Sequence, residues 1–310
     1  MSLHSVVRRW IAALVLVAPT LSAPTTKLQP LVYTVHVTPP THQALDIDVQ
    51  VPTDGRDSIF LMMPIWSPGM YALESYGDRV TAIAAKAPDG TALDVSRVSP
   101  SRWLLKTGHH ATATVSYTAS AARGTNLSTG VTDTSLVIIG PATYITLADD
   151  HKRPAEVRLD VPSSWKPAAT SLDAAPDRHV NHFVAPDYDV LADSPILDGT
   201  HLTSASVTIG GVTHRWADLG EAAFGADSAI AWVKPLLEEH HRFWGSLPLK
   251  NYVFLNIVTR AGPGSGVEHL NSVAINTNGA VPTTQEGWFR QASFISHLNA
   301  LLAPSKGPRS

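Results

Sequence analysis

The residues of this chain with types and spacing suited to chemistry gather toward its C-terminal end. Gly266, Glu268, His269 and Ser272 fall in the run Gly266-Val267-Glu268-His269-Leu270-Asn271-Ser272, and about one helix later comes Ser296-His297. Taken alone, Glu268 and His269 are a polar pair in a loop, where such side chains ordinarily face solvent. Gly262, Gly264 and Gly266 lie just ahead of them. Their spacing is not G-x-G-x-x-G and no helix start follows, so a dinucleotide loop is set aside. Ser265 has Pro263 and Val267 where a nucleophile elbow needs glycine. The chain has no cysteine, which removes thiol nucleophiles, disulfides and Cys-ligated zinc. Its 14 histidines include three close pairs, none of which reads as a metal site. His240 and His241 are adjacent on a predicted helix and point in different directions. His109 and His110 sit in a turn, and His179 and His182 lie in a stretch that reads as extended, on opposite faces.

Five segments in order change the reading of that C-terminal run. They are Trp66-Ser67-Pro68-Gly69-Met70-Tyr71; Asp187-Tyr188-Asp189-Val190-Leu191-Ala192-Asp193-Ser194-Pro195; Phe243-Trp244-Gly245-Ser246-Leu247-Pro248 with Tyr252-Val253-Phe254; Gly266-Val267-Glu268-His269 with Ser272; and Phe294-Ile295-Ser296-His297. Together they resemble, in the same order, the W-x-P-G-x-Y loop, the D-Y-D-x-L-x-D-S-P segment, the F-x-G-x-L-P hinge, the G-L-E-H-x-x-S substrate edge and the opening of the zinc helix of the glycyl aminopeptidase family of metallopeptidases. The resemblance implies an α+β chain, with a mostly antiparallel β N-terminal domain followed by the first helix and strands of a thermolysin-like domain. It also implies substrate-binding roles for Gly266, Glu268 and His269. The Glu268 carboxylate would pair with a substrate's α-ammonium while the backbone beside it receives the peptide as an added strand, glycine permitting the close approach.

The resemblance stops at the zinc helix. In the family this helix reads H-E-x-x-H, two imidazoles one turn apart with a glutamate that activates metal-bound water. Here Leu298 follows His297 and Leu301 stands at the second histidine position. Leucine has no lone pair for zinc and takes no proton. The family's third ligand, a glutamate on a later helix, is expected to fall beyond Ser310. The expectation is therefore no catalytic residue and no cofactor, zinc belonging to intact relatives, with His297 a vestigial first-ligand position. A frameshifted or truncated product and a pseudoenzyme both fit this pattern. So does a module of another class, an exported β protein that captures peptide N-termini without cutting them.

Composition narrows the partners. Charged residues make up 16% of the chain and the formal net charge is −3, so the sequence carries no electrostatic footprint for nucleic acid. Arg8 and Arg9 precede the apolar run Trp10 to Val17, and Leu21-Ser22-Ala23 ends it with small residues, as in a secretory signal. The run is too short to span a bilayer. A periplasmic or extracellular protein is expected, with no membrane partner after cleavage.

The elements that must position Glu268 follow from periodicity. From Leu31 to Trp216 the apolar pattern alternates, as in Leu45, Ile47, Val49 and Val51 against Asp46, Asp48 and Gln50. Asp89-Gly90 and Gly210-Gly211 mark hairpin turns. From Phe224 to Trp244 apolar residues recur at three- and four-residue steps, predicting a helix that Pro235 kinks or restarts and Gly245 ends. Tyr252 to Val258 reads as a buried strand. The expected division is a signal at 1–23, the β domain at 30–200, a partial catalytic domain at 201–297 and an aberrant or disordered tail at 298–310.

Overall fold

The computed structural model describes residues 28–67, 73–121, 124–245, 249–259, 264–279 and 284–300. The predicted signal, the Pro68-to-Tyr71 part of the aromatic loop, Ser246 to Pro248, and residues 301–310 of the predicted tail lie outside them.

The first part of the chain is built of three sheets: one of eight strands and two of four. Strands Leu31–His36, Ala44–Pro52 and Thr112–Ser120 lie side by side in the large sheet, and Leu31–His36 also pairs in parallel with Ala155–Asp160. Alternation sorts their faces as predicted. Leu45, Ile47, Val49 and Val51 are buried with Tyr33, Val115 and Tyr117. On the other face Asp48 receives Ser116 at 2.5 Å and lies 3.2 Å from His36, while Asp46 receives Thr118 at 2.7 Å. This core also encloses an irregular segment whose backbone needs partners away from water. Three buried tyrosines supply them. Tyr117 donates to the Thr143 carbonyl at 2.7 Å, Tyr188 to Tyr144 at 2.8 Å and Tyr33 to Ile145 at 2.8 Å. Burial drives all three phenols upward, so they stay neutral donors.

The second part is a five-stranded sheet. Strands Leu202–Ile209 and Val212–Leu219 form a hairpin at Gly210 and Gly211, whose φ values of 57° and 83° are cheap only for glycine. Strands Asn251–Val258 and Ser272–Thr277 then continue in parallel, and the short strand Ser265–Glu268 closes the edge antiparallel to Ser272–Thr277. A parallel neighbour requires a long crossover, here provided by helix α2 (Ala226–Trp244), numbered after the five-residue helix α1 (Tyr188–Ala192). Helix α3 (Gln285–Ala300) follows the last strand.

Both faces of this sheet are covered, which explains the near-continuous burial along Asn251–Val258. Trp216, Phe254, Val273 and Ile275 pack under Ile230, Val233 and Leu237 of α2 and Ile295 of α3. Ala217, Leu219, Val253, Leu255 and Ile257 pack on Val137, Ile139, Ala169 and Leu197 of the β part. The two parts therefore share an apolar interface.

Four places bear on the expectations. The 202–219 hairpin belongs to the second sheet, on the expected side of the 200/201 boundary, although its alternation continues that of the β part. Helix α2 spans Pro235 as one element, so the proline does not restart it; the lost backbone bond is offset by burial of Val233 and Leu237 on either side. His179 lies in a turn between Arg178 and Asn181, both at positive φ, while His182 opens the strand His182–Ala185. There His182 is buried between Asp177, at 2.7 Å, and Glu156, at 3.1 Å. Helix α3 continues to Ala300, three residues past His297.

Candidate functional site

The site is assembled from two motifs far apart in sequence. The first is the segment that forms α1. Asp187 caps it, accepting the Val190 amide at 3.0 Å, and Lys152 bridges Asp187 and Asp189 at 3.3 and 3.0 Å. Burial works to raise the Asp187 carboxyl, but the Val190 amide and Lys152 outweigh it and hold it below the usual carboxylate range. Tyr188 ties the helix to the buried segment below it, and Leu191 is fully buried. The turn before Tyr144 approaches so closely that a Cβ on Gly140 would meet the Ala192 Cα at 2.6 Å. The helix is thereby fixed on the β part, and Asp193 emerges at its C-terminal end.

The second motif is the edge strand Ser265–Glu268 with the turn after it. His269 donates its amide to the Ser272 carbonyl at 2.8 Å, closing a tight turn over Leu270 and Asn271. The Asp193 carboxylate meets this turn with both oxygens. Oδ1 lies 2.8 Å from His269 Nδ1, and Oδ2 accepts the Leu270 amide at 2.8 Å, across 76 and 77 residues of sequence. His269 is buried, so the bond is shielded from water. At the other end of the strand Asn126 exchanges bonds with Asn276: its amide donates at 3.2 Å and its Oδ1 accepts Asn276 Nδ2 at 2.6 Å. Ser265 Oγ also reaches Asn126 Oδ1 at 3.3 Å. Residues of the β part thus hold both ends of the edge strand.

Register fixes where Glu268 points. Glu268 lies opposite Val273 and Gly266 opposite Ile275, and Val273 and Ile275 face the helices. Directly opposed residues share a face, so Glu268 is on the helix side. Tyr252 shares that side; burial, and then the Glu268 charge, push its phenol upward. Among the described residues no hydrogen bond or ion pair occupies the Glu268 carboxylate. Helix α3 touches the edge strand, its Ser296 Oγ lying 3.0 Å from His240 Nε2 of α2. His297 is exposed.

The structure thus brings Gly266, Glu268 and His269 to one edge and separates their roles. Glu268 presents a charge beside an edge backbone, which can bind an ammonium and an added strand. His269 faces inward to Asp193. Trp66, half exposed, lines a cleft of about 470 Å³ with Tyr188, Ala192 and Asp193.

Sequence reasoning missed Asn126 and the Asp193 bonds, because no spacing links residues that meet only through the fold. It also missed a buried polar group on the helix side, where Asp218 Oδ1 accepts Trp216 Nε1 at 2.8 Å and Asn256 Nδ2 at 2.7 Å. Asp218 Oδ2 and Asn256 Oδ1 have no partner there, and burial raises the Asp218 carboxyl. The available signal was Asp218 falling two residues after Trp216, on the same face of one strand.

Comparison with known proteins agrees with this architecture. The sequence matches the family described as Peptidase M61 N-terminal domain over residues 32–200. No curated protein matches the chain. Among solved structures, an aminopeptidase N family protein from Idiomarina loihiensis superposes with a TM-score of 0.77 at 21% identity, over 86% of this chain. A variant of the M1 zinc metallopeptidase from Deinococcus radiodurans superposes with a TM-score of 0.50 at 14% identity, over 82% of this chain. The chain spans 46% of the first relative's length and 61% of the second's. At these identities the superpositions speak for the fold alone, and they agree with an α+β chain whose first part is mainly antiparallel β. Since the family match takes in more than half of the 310 residues, the chain belongs to the peptidase M61 family through its N-terminal domain.

Proposed function

We propose that this chain is an exported, glycyl-aminopeptidase-like protein that recognises the free N-termini of peptides at the Glu268 edge and does not hydrolyse them. The observation that carries the reading is the Glu268 carboxylate. It has no partner among the described residues, and it stands on an edge strand that the β part holds at both ends. An acceptor of this kind distinguishes an N-terminal ammonium from an internal amide, because only the ammonium carries charge. Added-strand pairing along Ser265–Glu268 supplies affinity without reading sequence, and Gly266 leaves room for it. His269 acts in this reading as the anchor of the turn, its Nδ1 being engaged by Asp193.

The residues present do not fit the zinc ion of the intact relatives. His297 is followed by Leu298, and Leu301 stands four positions after it in the sequence; neither side chain is a donor. His297 is exposed on α3, and among the described residues no group of three His, Cys, Asp or Glu is placed to hold a metal ion. No step is therefore routed through zinc. Export is supported by Arg8 and Arg9 ahead of the apolar run Trp10 to Val17 and the small residues at Ser22 and Ala23. The mass of the N-terminus recovered outside the cytoplasm checks it.

The test is titration of the full chain with a glycine-initiated pentapeptide and its N-acetylated form, with zinc content and glycyl-substrate turnover measured on the same preparation. The expected result is at least tenfold tighter binding of the free amine, with no stoichiometric zinc and no chelator-sensitive turnover. Equal affinity for the two peptides would remove the recognition reading, and zinc-dependent turnover would remove the non-catalytic one.

A further inference from the structure

We infer that Asp193, a residue of the β part, is a positioning residue for N-terminus recognition at Glu268. The inference rests on the reading above and adds a claim that reading does not need. The β part sets the geometry of a site whose ligand-facing residues all lie on the other sheet.

A two-residue turn leaves backbone groups that it cannot pair by itself. Within the turn from His269 to Ser272 the His269 amide is used internally, but the Leu270 amide has no acceptor of its own. Asp193 Oδ2 accepts it, while Oδ1 engages His269 Nδ1, both at 2.8 Å. One carboxylate thus fixes a main-chain and a side-chain atom of consecutive residues. With two directions constrained, the turn cannot rotate about the strand axis, and Glu268, directly before it, inherits that orientation. Asp193 is itself rigid, since it follows α1, which Tyr188 and Gly140 hold against the buried segment. The exposed Leu270 side chain offers the turn no apolar anchoring. The Val253 amide also donates to the Asn271 carbonyl at 3.1 Å at the far side of the turn, but on the Glu268 side the polar clasp is what holds it, and a freely hinged carboxylate would lose orientation entropy on binding each peptide.

Asp193 is also an anion near a site proposed to bind a cation, so charge and positioning must be separated. Asp193→Asn does this. Its carboxamide oxygen can accept the Leu270 amide and its NH2 can donate to His269 Nδ1 in the other tautomer, preserving the geometry without the charge. Asp193→Ala removes both bonds.

The experiment measures, for the full chain and each variant, affinity for the glycine-initiated pentapeptide and its N-acetylated form, with thermal melting alongside. Hydrogen exchange at the Leu270 amide is followed in the unaltered protein. Asp193→Ala is expected to lower the preference for the free amine about tenfold. Asp193→Asn is expected to retain most of it, and the Leu270 amide to exchange slowly in the unaltered protein. If the unaltered protein shows no such preference, the recognition reading falls and this inference with it. If the preference is present and Asp193→Ala keeps it, only the positioning role is lost. A loss in Asp193→Asn equal to that in Asp193→Ala would assign the effect to charge and overturn positioning. Should the alanine variant not fold, fast exchange of the Leu270 amide in the unaltered protein overturns the inference on its own.

Discussion

The β part and the helix-covered sheet treat buried polar groups differently. In the β part, Arg153 is buried between Asp54 and Asp150 at 2.6 and 2.7 Å and also donates to the Gln29 carbonyl. His182 has an acid on each side, and Tyr33, Tyr117 and Tyr188 complete the backbone of one enclosed segment. Of the twelve buried side-chain atoms without a partner among the described residues, eight lie from His214 onward, in the smaller part of the chain. They include His214 Nδ1, Asp218 Oδ2, Tyr252 OH, Asn256 Oδ1 and His269 Nε2. Each such group carries an unrecovered desolvation cost. The first part is closed upon itself, while the second carries unmet polar groups around the edge that the proposed function uses.

The largest expected effect attacks the closed part. Arg153→Ala empties the space of a buried side chain and unpairs Asp54 and Asp150, which themselves reach solvent, and urea denaturation should show a loss of about 2–5 kcal/mol. A loss under about 1 kcal/mol would mean the β part is not held by its paired groups. The next test sets the two parts against each other with pH. Burial pushes the Asp198 carboxyl up to about 7, more than its bonds from Gly199 and Asn181 lower it. The folded state then holds this proton more tightly than the unfolded chain. Stability from this group is full below about pH 4 and declines as pH rises toward 7, by up to roughly 4 kcal/mol. Burial, then the nearby His241, lower His214 to about 4. Its contribution is present above about pH 6.5 and declines as pH falls toward 4, by up to roughly 3 kcal/mol. Asp218, also raised by burial, acts in the Asp198 direction. Denaturation from pH 4 to 8, compared with Asp198→Asn and His214→Gln, should show slopes of opposite sign removed one at a time. Slopes of the same sign would break the comparison.

Smaller effects sharpen it. Tyr188→Phe leaves the Tyr144 carbonyl without its donor and should cost about 1–3 kcal/mol in the same assay. Asp218→Asn keeps an oxygen for Trp216 and Asn256 and replaces a buried carboxylate, one oxygen of which has no partner among the described residues, with a neutral amide. It should raise stability at pH 7 by about 1 kcal/mol, with the gain fading in acid where Asp218 is already protonated. A destabilised variant would show that the carboxylate is matched to its surroundings after all.

Much of this molecule could be read before its fold was known. Alternation along Leu45 to Val51 specified a strand and its buried face, because side-chain direction reverses at every residue whatever the partner strand. The three- and four-residue steps from Ile230 to Leu237 specified α2 for the same kind of reason. Pro235 does not end α2, since propensity is local and the helix is held by what it covers. The Glu268 edge was legible only through its resemblance to a known substrate edge; as bare residues it looked like solvated loop.

The sequence by itself determined the elements, their faces and the donor types available, including two leucines where metal ligands would stand, because these depend on covalent chemistry and local period. Only the tertiary structure decided that Asp193 meets His269 and Leu270, that Asn126 meets Asn276, and that Glu268 faces the helices without a partner among the described residues. Those facts depend on which strand neighbours which, and contacts across 76 or 150 residues leave no periodic trace along the chain.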